Sequence, residues 1–290
     1  MKRILLTGAQ GQVGWELRRS LAPLGEVIAT TRADGDLARP DVLLQTIRTL
    51  RPQIIVNAAA YTAVDRAEQE SELALRVNAD APGLLAEAAR SLDALLVHYS
   101  TDYVFDGRLD RPYRENDPPG PLGVYGASKF AGEQAIAASG CCHLILRTSW
   151  VYGARGHNFL LTILRLAREE RPLRIVADQT GAPTWCRMLA EATALALADP
   201  AVRDKSGLYH LSAAGATTWH GFAQAALESL RGPAAPPVTP IGTADYPLPA
   251  RRPAHSCLDS SRFRASFGLA LPDWRDSLEL CLQEMPDARP

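Results

Sequence analysis

The chain has 290 residues, 47% of them hydrophobic and 22% charged, ordinary globular usage for one large domain or two smaller ones. Its 31 basic and 32 acidic residues leave a formal charge of −1, so no basic bulk points to nucleic acid or an anionic membrane as the partner. The apolar run after Met1 stops at Thr7-Gly8, short of the roughly 7–15 residues of a secretory signal and the ~20 of a membrane span. Neither occurs later, so a cytoplasmic protein is expected. Five cysteines without a Cys-x-x-Cys pair argue against a disulfide framework. The scattered histidines show no ligand spacing, so no metal is expected.

Short apolar runs alternate with amphipathic stretches, the pattern of βαβ units. The expected fold is therefore α/β, a Rossmann-type doubly wound parallel sheet with a smaller C-terminal substrate-binding region. Strands are predicted at 3–7, 26–31, 54–57, 95–100 and 143–147, and helices at 12–21, 41–50, 74–91 and 124–138. Ile54-Ile55-Val56 is continuously apolar, as in a strand covered on both faces. The rhythm loosens after residue 150 and proline rises over 231–253. Residues 1–150 are thus expected to form the dinucleotide domain. Residues 151–290 are expected mainly to bind substrate, with some chain returning to the sheet.

The first strand runs into Thr7-Gly8-Ala9-Gln10-Gly11-Gln12-Val13-Gly14. One glycine makes the tight turn, one lets the backbone approach a pyrophosphate, and one lets helix and strand pack closely. The helix N-terminus adds unpaired N–H groups and a partial positive charge. This Gly-x-x-Gly-x-x-Gly spacing resembles the short-chain dehydrogenase/reductase superfamily. The second strand ends Ala29-Thr30-Thr31-Arg32, with no Asp or Glu for the ribose hydroxyls of NAD. Arg32 is suited to a 2′-phosphate, which favours NADPH, with NADH still possible. Thr31, Asp36 and Leu37 are placed along the adenosine end. A solvated surface arginine is the competing reading of Arg32.

Tyr125 and Lys129 stand four apart in a predicted helix and so share a face. An ammonium beside a phenol favours phenolate and lowers its pKa, which lets the tyrosine exchange a proton with a carbonyl oxygen. The chain has eight tyrosines but just three lysines (Lys2, Lys129, Lys205), so chance supplies this spacing rarely. One strand earlier, Ser100-Thr101 close an apolar run where parallel sheets place their chemistry. One of the two hydroxyls should point into the site, and the pattern alone does not say which.

Gly11–Leu17, Asn57–Asp65, Ser100–Phe105 and Tyr125–Lys129 together resemble the dTDP-4-dehydrorhamnose reductase family. Residues 147–152, 178–184, 207–211 and 250–253 extend the likeness over nearly the whole chain. The resemblance implies NADPH-dependent reduction of the C4 ketone of dTDP-4-dehydro-β-L-rhamnose to dTDP-β-L-rhamnose. It implies Tyr125 as proton donor, Lys129 as its pKa-lowering and ribose-binding partner, and Thr101 as the hydroxyl on the ketone. Gly11, Gln12 and Val13 would lie on the pyrophosphate, and Ala60, Tyr61, Thr62 and Tyr99 would line the cofactor cleft. Thr101, Asp102 and Trp150 would contact the sugar, with Tyr103 and Val64 as further pocket candidates. A guanidinium fork suits a pyrophosphate, so Arg252, with Arg251 beside it, is a candidate for the nucleotide-sugar phosphates. Some members are reported to hold Mg²⁺ at a dimer interface through glutamates. Glu16 stands at one such position, but Arg187 stands where a second acid is expected, and arginine cannot ligate a cation. The expected state is monomer or homodimer.

Two other readings compete. A nucleotide-sugar epimerase or dehydratase on the same scaffold would recycle tightly bound NAD, but Thr101-Asp102 is followed by Tyr103 and not by the glutamate of dehydratases. A non-catalytic regulatory subunit on this fold need not keep Tyr125, Lys129 and Thr101 together.

Overall fold

The computed structural model describes residues 1–232 and 235–285. In chain order the first half runs β1 (Arg3–Thr7), α1 (Gln12–Ser20), β2 (Glu26–Ala29), α2 (Arg32–Gly35), α3 (Pro40–Leu50), β3 (Ile54–Asn57), α4 (Val64–Ala67), α5 (Ser71–Leu75), α6 (Ala81–Leu92), β4 (Leu95–Thr101), α7 (Val124–Ser139) and β5 (His143–Thr148). It continues through β6 (Val151–Tyr152), α8 (Phe159–Arg168), β7 (Leu173–Val176), β8 (Thr180–Gly181), β9 (Thr184–Trp185), α9 (Cys186–Ala198) and β10 (Gly207–His210). The last elements are β11 (Thr217–Thr218), α10 (Trp219–Arg231), β12 (Val238–Ile241), α11 (Ser261–Phe267) and α12 (Trp274–Gln283).

Six parallel strands form the central sheet in the order β10-β5-β4-β3-β1-β2. Chain order reverses between β1 and β3, so the crevice beyond their C-terminal ends is the natural ligand site of such a sheet. Alternation along the strands fills two cores. Ile4 and Leu6, Val97, Leu144 and Leu146 pack on one face with Leu17 of α1 and Leu189 and Leu197 of α9. Leu5, Ile55, Leu96 and Ile145 pack on the other with Leu43, Ile47, Leu85 and Ala89. A third core joins Tyr152, Leu160, Phe222, Trp274 and Leu278 under the C-terminal region. The second half thus returns twice to the first, with α9 covering a sheet face and β10 extending the sheet beside β5.

Two predicted elements end differently. The second strand stops at Ala29, because Thr31 caps α2: its hydroxyl accepts from Ala33 N–H while Asp34 accepts from Thr31 N–H, a reciprocal capping box. The predicted helix over 74–91 is interrupted between α5 and α6 by one wide turn, Arg76–Asp80. Pro82 has no N–H to donate to the preceding turn. The Asn78 carbonyl there lies against α7, where a Cβ on Gly132 would come within 2.1 Å of it.

Candidate active site

The glycine loop is shaped as its sequence demands. Gly8 has φ +70°, and a Cβ there would come within 2.6 Å of Ala59 N, so this position serves both the turn and the approach of the loop after β3. A Cβ on Gly14 would fall 2.1 Å from Gly8 O, so α1 can begin against the loop with glycine there. Gly11 is the N-cap, with no side chain closing the end of α1. The N–H groups of Gln12 and Val13 follow directly, the arrangement that receives a phosphate.

Arg32 is exposed and makes no hydrogen bond or ion pair among the described residues, whereas Asp34 is engaged in the α2 cap. Asp36 turns its carboxylate to Ala38 N–H (2.9 Å) and Arg39, and Leu37 is buried beside it. After β3, Ala60 and Tyr61 are partly buried and Thr62 is exposed. Asn78 holds the main chain of Tyr61 from both sides, accepting from its N–H (2.9 Å) and donating to its carbonyl (3.0 Å), while the Tyr61 hydroxyl donates to Glu70 (2.6 Å). Tyr99 is placed differently from the cleft wall expected of it. Its ring lies in the sheet core and its hydroxyl meets Thr193 of α9 at 2.6 Å, so its carbonyl is what reaches the site.

At the end of β4 the two neighbouring hydroxyls go to different partners. Ser100 Oγ points to the middle of α7 and donates to Glu133, which is held in a bidentate pair by Arg147. Thr101 points to the strand end: its hydroxyl donates to Asp102 Oδ1 (3.1 Å), accepts from Tyr103 N–H (3.2 Å) and acts on the Tyr125 phenol. Helix α7 brings Tyr125 to this point because residue 126 is glycine. A Cβ there would sit 2.1 Å from Tyr103 O, pushing the helix off the turn over Asp102–Val104. Glu68 accepts from Val124 N–H (2.8 Å) and fixes the helix start. The rings of Tyr103 and Tyr125 then meet edge to face at 5.8 Å.

Burial pushes the Tyr125 phenol up to about 12, with Thr101 acting against it and the Asp102 charge adding to it. Lys129, buried one turn along, is lowered to about 8 by burial, with Glu133 opposing. Its Nζ donates to Tyr99 O at 2.6 Å and lies 3.1 Å from His98 Nε2. Asp102 is raised to about 6 by burial, against hydrogen bonds from Ser256, Ser149 and Thr101. The site therefore gathers three groups whose charging is disfavoured by burial, two of them beside the Thr101 hydroxyl.

A recess opens beside the Tyr125 ring, lined by Val64, Glu68, Tyr103, Tyr125, Arg251 and Pro253. Val64 and Tyr103, the two further pocket candidates, both line it. Two expectations need correction. The Arg252 fork is not open to a phosphate: it is bidentate to Asp65 (2.8 and 3.1 Å), with Tyr103 as a further partner. Trp150 is not a free platform either. Held at φ +46°, it is stacked face to face on Trp219 at 3.5 Å, and a Cβ on Gly181 would collide with its ring. Trp219, which donates to Gln179 (3.2 Å), was not singled out in the sequence; its lone aromatic at a helix start carries no signal without a fold. The buried His98 and Asn57 were missed for the same reason. Glu16 is paired with Arg187 of α9 (3.1 Å), and no cluster of three or more His, Cys, Asp or Glu suited to a metal occurs among the described residues. No described helix is long and apolar enough to cross a membrane.

Comparison with known proteins bears on the same residues. A family model described as the RmlD substrate binding domain matches residues 1–286. The dTDP-4-dehydrorhamnose reductase of Burkholderia thailandensis is 51% identical, with 98% of this chain and 99% of that one covered. Its counterpart in Escherichia coli K12 is 47% identical, with 97% of each chain covered. Among solved structures, the dTDP-4-dehydrorhamnose reductase of Bacillus anthracis in complex with NADP superposes with a TM-score of 0.90 at 34% identity, covering 98% of this chain and 99% of that one. An NAD(P)H-dependent reductase scaffold, matched over nearly its whole length by these relatives, makes the chain a member of the dTDP-4-dehydrorhamnose reductase family.

Proposed function

We propose that the protein reduces the C4 ketone of dTDP-4-dehydro-β-L-rhamnose to dTDP-β-L-rhamnose with NADPH, the last step in making that nucleotide sugar. The observation that carries the reading is the convergence of Thr101, Tyr125 and Lys129 at the end of β4, beside a recess and across from the glycine loop. A dinucleotide fits the residues present. Gly8 and Gly14 keep the loop clear of side chains, and the uncapped start of α1 presents N–H donors to a pyrophosphate. Arg32, unpaired among the described residues at the end of β2, favours a 2′-phosphate, in keeping with the NADP in the Bacillus anthracis complex. When bound, the reduced nicotinamide supplies the hydride. Tyr125 gives its proton to the ketone oxygen and Thr101 hydrogen-bonds that oxygen. A charged Lys129 eases the loss of the phenol proton.

The test is the loss of nicotinamide absorbance with purified protein, NADPH and the 4-dehydro-6-deoxy-L-sugar nucleotide made in situ from dTDP-glucose. Stoichiometric NADPH oxidation that requires the sugar's prior epimerisation is expected, with slower oxidation of NADH. Turnover with catalytic NAD and no net oxidation would replace the reading with an epimerase. Dinucleotide binding without any oxidation would replace it with a regulatory subunit.

A further inference from the structure

Behind Lys129 lies a buried polar chain that the reduction does not itself require. Asn57, on β3, has its amide orientation fixed: Ala59 N–H donates to its Oδ1 (3.3 Å), as does the Thr7 hydroxyl (2.6 Å). Its Nδ2 therefore points to His98 Nδ1, 3.0 Å away on β4. A neutral imidazole carries one N–H, and with Nδ1 accepting from Asn57 that proton belongs on Nε2. Nε2 faces Lys129 Nζ at 3.1 Å. His98 is 1% and Lys129 2% exposed, so bulk water does not relieve a mismatch between them.

An ammonium has three donors and no acceptor. Set against the Nε2–H of His98, it places donor against donor; a neutral amine accepts from His98 and still donates to Tyr99 O. The other tautomer moves the clash to Asn57, and turning the Asn57 amide moves it to Ala59 N–H. We propose that His98 is a positioning residue for Lys129: its Nε2–H holds the lysine head against Tyr99 O and makes the amine, not the ammonium, the form that completes the network. Charging Lys129 then requires its head to leave His98, so His98 sets the pH at which the lysine can act on the phenol.

The groups around the pair are consistent with this. His98 cannot take the charge itself, since burial and the neighbouring lysine hold it well below the usual histidine range. Burial lowers the Lys129 amine in the same direction. On α7, Glu133 favours the ammonium and opposes His98, but it is itself paired with Arg147 of β5. Tyr125, on the same helix, is uncharged near neutrality, and Asp102, at the end of β4, acts on Tyr125. Glu68, beyond α4, is turned to Val124 N–H, and Asn78, before α6, contributes an uncharged amide to Ser128.

The inference rests on the reading of Tyr125 and Lys129 as the acid pair, and its test does not need turnover. With three lysines in the chain, ε-¹³C-lysine labelling of the full-length, cofactor-free protein gives three resonances. Lys2→Arg and Lys205→Arg assign the third to Lys129. Its midpoint is expected near pH 8 in the wild type. In His98→Gln, whose carbonyl can accept from an ammonium, the midpoint should rise by at least about one pH unit, a tenfold change in proton affinity. In His98→Asn, which keeps an acceptor for Asn57 but withdraws the N–H from lysine, it should rise less. The alkaline limb of kcat/KM should move with it. A Lys129 midpoint unchanged in both variants overturns the proposal. So does a wild-type midpoint at an ordinary lysine value of about 10.4, even if the variants fail to fold. A moving midpoint with no turnover of the sugar nucleotide would instead overturn the functional reading and leave this one standing.

Discussion

Ser100 and Thr101 are consecutive residues of one strand, and their hydroxyls enter two differently built polar clusters. At the rear, further along α7 from Tyr125, Ser100 meets Glu133, and Glu133 is matched by Arg147 through two hydrogen bonds of 2.9 and 2.6 Å. Arg147 lies over the Phe105 ring, with His210 beside it, and His210 Nδ1 is tied to Tyr113 O at 3.0 Å. Burial first and Arg147 second push His210 down to about 3, so it stays neutral at physiological pH. In front, Thr101 meets Asp102 and Tyr125, and the partners of the Asp102 carboxylate are hydroxyls and its own backbone, with no cation among them. The rear cluster pairs its carboxylate; the front one leaves Asp102 near 6, and Lys129, between the two, is near 8, both within reach of working pH. Burial is shared by both, so what separates scaffold from site is whether each charge has its opposite.

The largest effect expected is on the front. Tyr125→Phe should lower kcat by roughly 10²–10⁴-fold, the usual worth of a positioned acid, with NADPH affinity measured by fluorescence titration almost unchanged. Turnover at the wild-type rate would remove Tyr125 from the proton-donor role. The rear should respond in stability instead. Arg147→Met leaves Glu133 buried without its cation and should cost about 3–5 kcal/mol in denaturant unfolding. Arg147→Met combined with Glu133→Leu should recover most of that loss. A large drop in kcat with little change in unfolding would mean that the rear cluster belongs to the catalytic machinery.

That division was half legible in the sequence. β1, β3 and their continuous apolar runs could be read because a strand covered on both faces has a distinctive composition. Gly8 and Gly14 could be read because the loop they make has one geometry. Tyr125 and Lys129 stood out because lysine is scarce in this chain. The choice between Ser100 and Thr101 was not in the pattern, since it depends on where along α7 each hydroxyl lands, Ser100 at Glu133 and Thr101 beside Tyr125. The pairings of Arg252 with Asp65 and of Trp150 with Trp219 span 187 and 69 positions of sequence. No local rule links residues so far apart. His98 and Asn57 look like ordinary strand residues until β3 and β4 are laid side by side in register.

The two neighbouring hydroxyls give the sharpest contrast at moderate size. Thr101→Val keeps the shape and removes the hydroxyl; kcat should fall by about 10- to 100-fold, the worth of a hydrogen bond to a developing charge, beside a stability loss for the donor withdrawn from Asp102. Ser100→Ala should affect stability alone. It withdraws one donor from buried Glu133, costing about 1–3 kcal/mol of stability, and leaves kcat within about twofold. Equal effects of both substitutions on kcat would erase the difference between the two clusters.

Asp102 carries the smallest expected effect and the most specific signature, because it is read against pH. Its folded-state pKa, about 6, lies above the ordinary aspartate value, so the native state binds its proton more tightly than the unfolded chain does. Stability from this group is fully present below about pH 4, falls as pH rises, and is lost above about pH 6. Asp102→Asn removes the buried charge while keeping a group that the Ser149 hydroxyl, now 3.0 Å from Oδ2, can still reach. The variant should therefore unfold later than wild type at pH 7.5, by on the order of 1–3 kcal/mol, with the gap closing as pH falls toward 4. The rear cluster offers no such behaviour, because its carboxylate is already matched. A stability gap that stayed constant from pH 4 to pH 7.5 would show that Asp102 is not an uncompensated charge, and the distinction between the two clusters would then rest on Tyr125 and Thr101 alone.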